Sequence, residues 1–180
     1  LGFIKHLEAK YGPDCLLKSM PHVIESYPDV HLTMVGHGSM ERSLKNLAID
    51  LGIDEHIQFT GYIQYENIPE LLNDIDIFIM PSNSETFGVA AIEAQAMEVP
   101  VIASNVGGVP DALIDGKTGI LVEPGNVEQL EAAIIELISN PNLRTRMGKA
   151  GRQFVLEHYD IEQNVRLFEK LYRDLSGAAQ

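Results

Sequence analysis

Residues 81–94 contain the side chains with the clearest potential for chemistry, two glutamates eight residues apart. Glu85 lies in a polar loop after an apolar run, and Glu93 lies inside the helix that is predicted to begin near Gly88. The first amides of such a helix have no acceptor within it, and together with the helix dipole they favour a bound anion such as phosphate. Gly88 would also let a ligand approach the backbone closely. The amides concerned are those of Phe87, Gly88, Val89 and Ala90.

Two carboxylates beside a phosphate site would repel the phosphate unless they bind groups that donate hydrogen bonds. Sugar hydroxyls are such groups, and a nucleotide sugar carries hydroxyl-bearing rings on both sides of its diphosphate. The arrangement of Glu85 and Glu93 therefore fits a nucleotide sugar. Spacing alone still favours the simpler interpretation, in which one glutamate belongs to a solvated loop and the other to a helix surface.

Apolar runs of strand length alternate with helical patterns throughout the chain. This alternation predicts βαβ units in a single doubly wound, Rossmann-like parallel sheet of the α/β class, followed by a helical C-terminal tail. Such sheets bind ligands at the carboxyl ends of their strands, here in the loops after Val35, Thr60, Met80 and Ala103. Strands are predicted near residues 1–4, 31–35, 57–60, 75–80, 100–103 and 119–122, and helices after residue 13, over 39–51 with Ser39 as N-cap, over 67–73, over 88–97 and from about 127 onward.

The composition argues against several classes of function. The chain of 180 residues carries 13 Lys and Arg against 26 Asp and Glu, a net charge of −13, which argues against binding to nucleic acid or to an anionic membrane. Its single cysteine, Cys15, excludes an internal disulfide, and no apolar run is long enough to span a bilayer. The cysteine content and the lack of a signal peptide predict a cytoplasmic protein. The chain begins at Leu1, already inside an apolar run, as expected of a piece of a longer protein.

Glu85 and Glu93 resemble the E-x7-E motif of retaining glycosyltransferases of the GT-B fold, in the group called family 4 or group 1. The resemblance implies the C-terminal, donor-binding half of such an enzyme. Residues 1–180 would form one nucleotide-sugar-binding domain, with a Rossmann-like core over about 1–158 and a final helix over about 159–176 that packs on a missing N-terminal domain. Further matching motifs come in family order over about residues 1–160: 35–38 (V-G-H-G), 59–62 (F-T-G-Y), 80–82 (M-P-S), 99–103 (V-P-V-I-A), 107–111 (G-G-V-P-D) and 116–124 (G-K-T-G-I-L-V-E-P).

The resemblance also implies a role for each matching position. Glu85 would accept hydrogen bonds from the transferred sugar, and Glu93 would accept them from the ribose. The remaining donor-binding positions are Thr86, Phe87 and Gly88 beside the sugar, Val89 and Ala90 at the diphosphate, Gly61 and Tyr62 at the base, Gly36 and Gly38 on the cleft floor, and Ser82 at the end of the preceding strand.

The basic residues of this family follow the first strand in an Arg-x5-Lys-like pattern, from which this sequence departs. Alignment on Gly12 places His6 and Tyr11 where Arg and Lys are common, with Lys5 and Lys10 one position away. Either lysine could bind the diphosphate, since each carries a long and flexible cationic side chain. Alternatively, both are solvated loop lysines.

Two other features are not expected to contact the donor. Glu98 stands where the family usually has Gly at a helix end, and a left-handed conformation there would cost about 1 kcal/mol. Asp74 and Asp76 form a D-x-D sequence, which is a metal motif in a different glycosyltransferase fold. Here they begin a buried strand, opposite the expected ligand edge, so no metal site is predicted.

The predicted reaction is transfer of a sugar from a UDP-, GDP- or ADP-sugar to an acceptor, with retention at the anomeric carbon. The helix N-terminus and one lysine would stabilise the departing diphosphate, and the resemblance implies no required cofactor or metal. The acceptor would bind the N-terminal domain, so this half alone is expected to bind donor with little or no turnover. Two alternatives remain, half of a GT-B epimerase or phosphorylase, for which no cofactor lysine stands out, and a binding module without catalysis.

The C-terminal tail carries an apolar stripe at helical spacing. Asp160 and Gln163 suit a capping box at the start of the last helix. Packing inside the domain would explain the stripe, but in the GT-B fold the last helix commonly crosses to the other domain. Without that domain we expect an exposed apolar patch or self-association. The stripe consists of Ile161, Val165, Phe168, Tyr172 and Leu175.

Overall fold

The computed structural model describes residues 1–177, which form a six-stranded sheet flanked by helices. The strands are β1 (Gly2–Ile4), β2 (Leu32–Val35), β3 (Ile57–Gly61), β4 (Phe78–Met80), β5 (Val101–Ser104) and β6 (Gly119–Val122). The helices are α1 (Pro13–Ser26), α2 (Glu41–Asp50), α3 (Ile68–Asn73), α4 (Val89–Ala96), α5 (Val109–Ala112), α6 (Val127–Ser139), α7 (Pro141–His158) and α8 (Ile161–Gly177). Residues 178–180, which the domain prediction includes, lie outside the described residues.

All neighbouring strands are parallel and follow the order β3-β2-β1-β4-β5-β6. The chain builds outward from β1 to β3, returns to place β4 beside β1, and then builds outward to β6. The order therefore reverses between β1 and β4, and doubly wound sheets bind ligands at such a switch point. The doubly wound, Rossmann-like α/β fold predicted from the sequence is confirmed.

Side chains along residues 77–80 alternate between two hydrophobic clusters. Ile77 and Ile79 pack in the cluster that includes α1, α2 and α6. Phe78 and Met80 pack in the cluster that includes α3, α4 and α5. Burial on both faces of the sheet explains why this part of the sequence is continuously apolar rather than alternating.

The predicted strand over residues 75–80 is longer than the observed one. Ile75 and Ile77 are buried, but β4 begins only at Phe78. The ladders on both sides start at this residue, which pairs with Gly2 of β1 and Val101 of β5. Apolar character therefore reports burial here, whereas the strand itself is limited to the residues with pairing partners.

Ser39 does not cap α2 as predicted. The helix begins at Glu41 with Met40 as its N-cap. The Ser39 hydroxyl and N–H instead both donate to the Glu8 carboxylate, each at 2.7 Å. Ser39 thereby joins the loop after β2 to the loop after β1, a tertiary contact that local capping rules do not anticipate.

Glu98 has a φ of 62°, so the left-handed conformation predicted for it is confirmed. Its carbonyl packs so closely on Gly148 of α7 that a Cβ at that position would clash with it. Arg152, also on α7, donates to the carbonyl of Ala96 at the end of α4. Helix α7 therefore holds the C-terminal end of the helix that carries Glu93.

Helix α8 begins close to the predicted position. The Asp160 carboxylate accepts the Gln163 N–H at 2.9 Å, but the Gln163 side chain donates to the Leu156 carbonyl instead of accepting from the Asp160 N–H. One of the two bonds of a capping box is thus made.

Among the helices of residues 1–177, none is long and apolar enough to cross a bilayer. The cytoplasmic location stays a prediction.

The apolar stripe of α8 faces solvent. Ile161, Phe168 and Tyr172 are 73%, 60% and 69% exposed, respectively, and Val165 is also exposed. The side chain of Leu175, the last residue of the stripe, lies outside the described residues. The exposed apolar patch is therefore present, while self-association through it stays a prediction.

Candidate functional site

The loops after β1, β2 and β3 enclose a cleft of about 250 Å³ at the carboxyl edge of the sheet. This is the edge at which the topology favours ligand binding. A larger groove of about 380 Å³ lies at the opposite edge, beside Asp74 and Asp76, where no ligand is expected. Within residues 1–177, no cluster of three His, Cys, Asp or Glu side chains could hold a metal ion. That the reaction needs no metal stays a prediction. The cleft is lined by Ile4, Lys5, His6, Tyr11, Val35, Gly36, His37, Tyr62, Ile63 and Ile68.

Glu85 is bound by Lys5 across the switch point of the sheet. Lys5 follows β1 and Glu85 lies in the loop after β4, and the Lys5 Nζ donates to Glu85 Oε2 at 2.6 Å. Their side chains are 17% and 12% exposed, respectively, so water screens this pair less than it screens a surface ion pair. Glu85 Oε1 accepts the Thr86 N–H at 3.2 Å. Both carboxylate oxygens are thus held directly before α4.

Immediately after Glu85, helix α4 presents backbone amides without acceptors among the described residues. Gly88 is its N-cap, with a φ of 89° that favours glycine. In the part of the chain that the structure describes, no group accepts a hydrogen bond from the amides of Phe87, Gly88, Val89 or Ala90. These amides and the helix dipole together attract a negative charge.

Lys10 lies near the Lys5–Glu85 pair, and the ring of Tyr11 contacts both lysines. The Nζ atoms of Lys5 and Lys10 are 5.0 and 4.7 Å from the centroid of this ring. The Lys10 carbonyl also accepts the Asn83 N–H at 2.8 Å, which joins the loop after β1 to the loop after β4. The Tyr11 hydroxyl foremost, followed by the charge of Glu85, raises the pKa of Lys10. Lys10 therefore presents an exposed, fully charged ammonium group beside the site.

Gly36 and Gly38 allow two loops of the site to pack against each other. A Cβ at Gly36 would clash with the Lys5 carbonyl, and a Cβ at Gly38 would clash with the Leu7 carbonyl. The loop after β2 can therefore lie directly against the loop that carries Lys5. The Gly36 N–H also donates to the Gly61 carbonyl at 2.8 Å, which joins the loop after β3 to the same assembly.

Three rings stand along one wall of the cleft. The ring centroids of His6 and His37 are 5.2 Å apart, and those of His37 and Tyr62 are 6.0 Å apart, both in edge-to-face geometry. Tyr62 is 69% exposed and thus available to a ligand. The two histidines come together only because β1 and β2 are neighbours, so their shared wall is not apparent from sequence spacing.

Glu93 lies one turn into α4 and binds Tyr65, a residue that the sequence reasoning missed. The Tyr65 hydroxyl donates to Glu93 Oε1 at 2.7 Å. Tyr65 belongs to the short 3-10 turn Tyr65–Asn67 between β3 and α3. The two residues are 28 positions apart, so no helical or strand periodicity links them. Only the adjacency of this turn to α4 in the folded chain could reveal the contact.

Ser82 is the predicted site residue whose side chain is least accessible. It is fully buried, its Oγ has no hydrogen-bond partner within residues 1–177, and it does not line the cleft. Ser82 lies at the start of the loop after β4, where its buried side chain can anchor that loop.

Most of the other predicted residues form four groups. Lys5 and Lys10 contact the Tyr11 ring, and Glu85 is bound to Lys5. Residues 86–90 lie at the start of α4. Gly36 and Tyr62 line the cleft, with Gly61 bonded to Gly36. Glu93 is joined through Tyr65 to the loop of Tyr62.

The parallel sheet and its switch point define a Rossmann-like α/β domain, a fold that binds ligands at that point. Within this class, the chain belongs to the family of glycosyl transferases group 1, whose sequence profile matches residues 1–154. The family resemblance found in the motifs is therefore confirmed.

Similar proteins of known name support this membership. The GDP-mannose-dependent alpha-(1-6)-phosphatidylinositol monomannoside mannosyltransferase of Mycolicibacterium smegmatis is 34% identical over 176 residues, which cover 93% of this chain and 46% of the relative. A GDP-mannose-dependent monoacylated alpha-(1-6)-phosphatidylinositol monomannoside mannosyltransferase of Corynebacterium glutamicum is 38% identical over 163 residues, 87% of this chain and 42% of the relative. This chain thus spans about half the length of these curated relatives.

A solved structure of similar extent is the crystal structure of the C-terminal domain of LpcC, a glycosyl transferase group 1 family protein from Francisella tularensis. It superposes with a TM-score of 0.83 at 28% identity, and the match covers 89% of this chain and 85% of that one. Its size and fold agree with the arrangement of sheet and helices described above.

Proposed function

We propose that this chain is the donor-binding half of a retaining glycosyltransferase, which transfers a sugar from a nucleoside-diphosphate sugar to an acceptor. The observation that carries the proposal is the 2.6 Å Lys5–Glu85 contact beside the free amides of α4 at the switch point. An anion site next to a fixed carboxylate suits a ligand that combines phosphate with sugar hydroxyls. Membership of the family and the two GDP-mannose-dependent relatives support the same substrate class.

The proposed roles are those that the family resemblance implies for these positions. Glu85, held by Lys5, accepts hydrogen bonds from hydroxyls of the transferred sugar. Glu93 accepts them from the ribose at the other end of the diphosphate. The backbone around both supplies the rest of the donor site, with Thr86, Phe87 and Gly88 beside the sugar, the amides of Val89 and Ala90 at the diphosphate, and Gly61 and Tyr62 at the base.

Of the two candidate cations, we assign Lys10 to the diphosphate. Lys5 is already paired with Glu85 and partly buried, whereas the side chain of Lys10 is exposed, contacts the Tyr11 ring and forms no ion pair with any described carboxylate. The departing diphosphate gains negative charge as the glycosidic bond breaks, and positive groups placed there lower the barrier. The helix N-terminus and Lys10 supply this charge, so the proposed reaction requires no metal or cofactor.

Acceptor binding and sugar transfer with retention at the anomeric carbon require the whole protein in this proposal. In this proposal, the exposed face of α8 around Phe168 and Tyr172 packs on an N-terminal, acceptor-binding half. Alone, this chain binds donor without turnover, and the same apolar face favours self-association.

Isothermal titration calorimetry of the chain with GDP, UDP and ADP tests the donor site. We expect at least one nucleotide to bind, and Glu93→Ala to weaken binding roughly 10- to 100-fold, because hydrogen bonds to a charged group contribute about 1.5–3 kcal/mol. Lys10→Ala should weaken binding of the nucleoside diphosphate but not binding of the corresponding nucleoside. The matched controls, Glu128→Ala on α6 and Lys149→Ala on α7, change exposed charges away from the cleft and should leave affinity unchanged.

Two results would reject these assignments. If none of the three nucleotides binds the folded chain, the donor site is wrong. If Glu93→Ala binds as tightly as the wild type, Glu93 does not hold the ribose. A protein completed with its N-terminal half that binds donor but transfers no sugar would instead identify a binding module without catalysis.

A further inference from the structure

Tyr65 binds one of the predicted donor-site residues directly, although no motif includes it. Its hydroxyl donates to Glu93 Oε1 at 2.7 Å and so connects the turn after β3 to α4. A hydrogen bond to an ionised acceptor is shorter and stronger than one between neutral groups. Because tyrosine has only two side-chain torsions, it can hold this position at a low cost in conformational entropy. The contact therefore restrains the rotation of the Glu93 carboxylate.

The contact leaves most of the acceptor capacity of Glu93 free. A carboxylate offers about four lone-pair positions on its two oxygens, and Tyr65 occupies one of those on Oε1. The remaining positions can accept hydrogen bonds from two neighbouring hydroxyls of one sugar ring. The phenol stays protonated and able to donate at neutral pH, since the ordinary pKa of tyrosine is about 10, and Glu93 raises the pKa of Tyr65 further through this hydrogen bond.

We propose that Tyr65 is a positioning residue for the ribose of the donor, acting through Glu93. This inference rests on the proposed function, in which Glu93 accepts the ribose hydroxyls. Tyr62, three residues earlier in the same loop, lines the cleft. The start of this loop is tied to β2 by the 2.8 Å bond from the Gly36 N–H to the Gly61 carbonyl. One loop thus carries both a cleft-lining ring and the hydroxyl that orients the ribose-binding carboxylate.

The test compares a ribonucleotide with its counterpart that lacks the ribose hydroxyls. Calorimetry uses the tightest binder among GDP, UDP and ADP together with the matching 2′,3′-dideoxynucleoside diphosphate. We expect Tyr65→Phe to weaken the affinity for the ribonucleotide about fivefold. Its affinity for the dideoxy compound should stay within about twofold of that of the wild type. In a Glu93→Ala background, Tyr65→Phe should have no further effect. Tyr172→Phe is the matched control, because Tyr172 is also 69% exposed but lies on α8.

The two nucleotides separate a positioning role from a merely structural one. Equal weakening of both compounds by Tyr65→Phe would indicate a general loss of structure and overturn the proposal. Unchanged or tighter binding of the ribonucleotide would also overturn it, since tighter binding would mean that Tyr65 competes with the ribose. If Glu93→Ala itself leaves the ribonucleotide unaffected, the ribose assignment in the proposed function fails, and the role of Tyr65 fails with it.

Discussion

Lys5 and Glu85 are 80 residues apart in the chain, yet Lys5 Nζ and Glu85 Oε2 lie 2.6 Å apart. They follow β1 and β4, the two strands between which the sheet order reverses. A connection that returns to the centre of the sheet leaves the loops at this point adjacent without a helix between them. The ion pair is thus a direct consequence of the topology. It fixes the carboxylate next to the helix amides before any ligand arrives.

This ion pair should contribute measurably to stability. In a double-mutant cycle with Lys5→Ala and Glu85→Ala, we expect a coupling of about 1–2 kcal/mol in the free energy of unfolding, because the pair is largely shielded from water. The exposed Lys18–Asp14 pair, at 2.7 Å on α1, is the control and should couple by about 0.3–0.5 kcal/mol. Urea denaturation measures both cycles. Equal couplings would show that burial adds nothing to the Lys5–Glu85 pair.

Gly107 is predicted to be essential for the position of the Glu85 loop. Its φ is 53°, and a Cβ there would clash with the Glu85 carbonyl. Gly116 has a similar φ of 70°, but a Cβ there would meet open space. Gly116→Ala should cost about 1 kcal/mol from the left-handed backbone alone. Gly107→Ala should cost about 1–3 kcal/mol more, because the backbone must also move. Urea denaturation of both variants checks this difference, which disappears if the loop can shift freely.

The sheet and the part of the site around the start of α4 can be predicted from local sequence patterns. Apolar strand-length runs with helices between them are enough to predict parallel pairing and a ligand edge, because crossover connections allow few alternatives. A Gly at the start of α4 with Glu85 before it and Glu93 within it is a local signal too, since it lies within a single loop and helix. Lys5 and Lys10 are candidates for a different reason, since the family resemblance places basic residues after the first strand and these two lie one position from the usual ones.

The parts that the sequence did not reveal depend on contacts between distant segments. Ser39 has the residue type of a helix cap, but Glu8 of the neighbouring loop binds its hydroxyl instead. Tyr65 looks like any exposed loop tyrosine until the fold places it against α4. The resemblance places Gly36 on the floor of the cleft, and the structure also requires a glycine there for packing on Lys5. In each case a tertiary partner decides between roles that local rules treat as equivalent.

Glu98 should be a site at which glycine increases stability. Its φ of 62° costs a non-glycine residue about 1 kcal/mol, and the 3.8 Å contact with Arg152 is an exposed ion pair of small value. We expect Glu98→Gly to raise the free energy of unfolding by about 0.5–1 kcal/mol. Glu98→Ala removes the same charge but keeps the strain, so it should give no gain. Urea denaturation distinguishes the two variants, and an equal gain from both would place the effect in the charge rather than in the backbone.

The Tyr65–Glu93 hydrogen bond predicts a pH dependence at the alkaline end. Glu93 raises the pKa of Tyr65 in the folded chain above its ordinary value of about 10, so folding favours the neutral phenol. The resulting stabilisation is fully present below the ordinary pKa and is lost as the pH rises through the raised one. The difference in unfolding free energy between the wild type and Tyr65→Phe should therefore shrink above about pH 10. In Glu93→Gln the pKa of Tyr65 should fall back toward its ordinary value, as measured by the phenolate absorbance that Tyr65→Phe removes. Tyr172→Phe is the control and should leave the titration of Tyr65 unchanged in either background. If Tyr65 titrates identically in the wild type and in Glu93→Gln, the hydrogen bond is not maintained in solution.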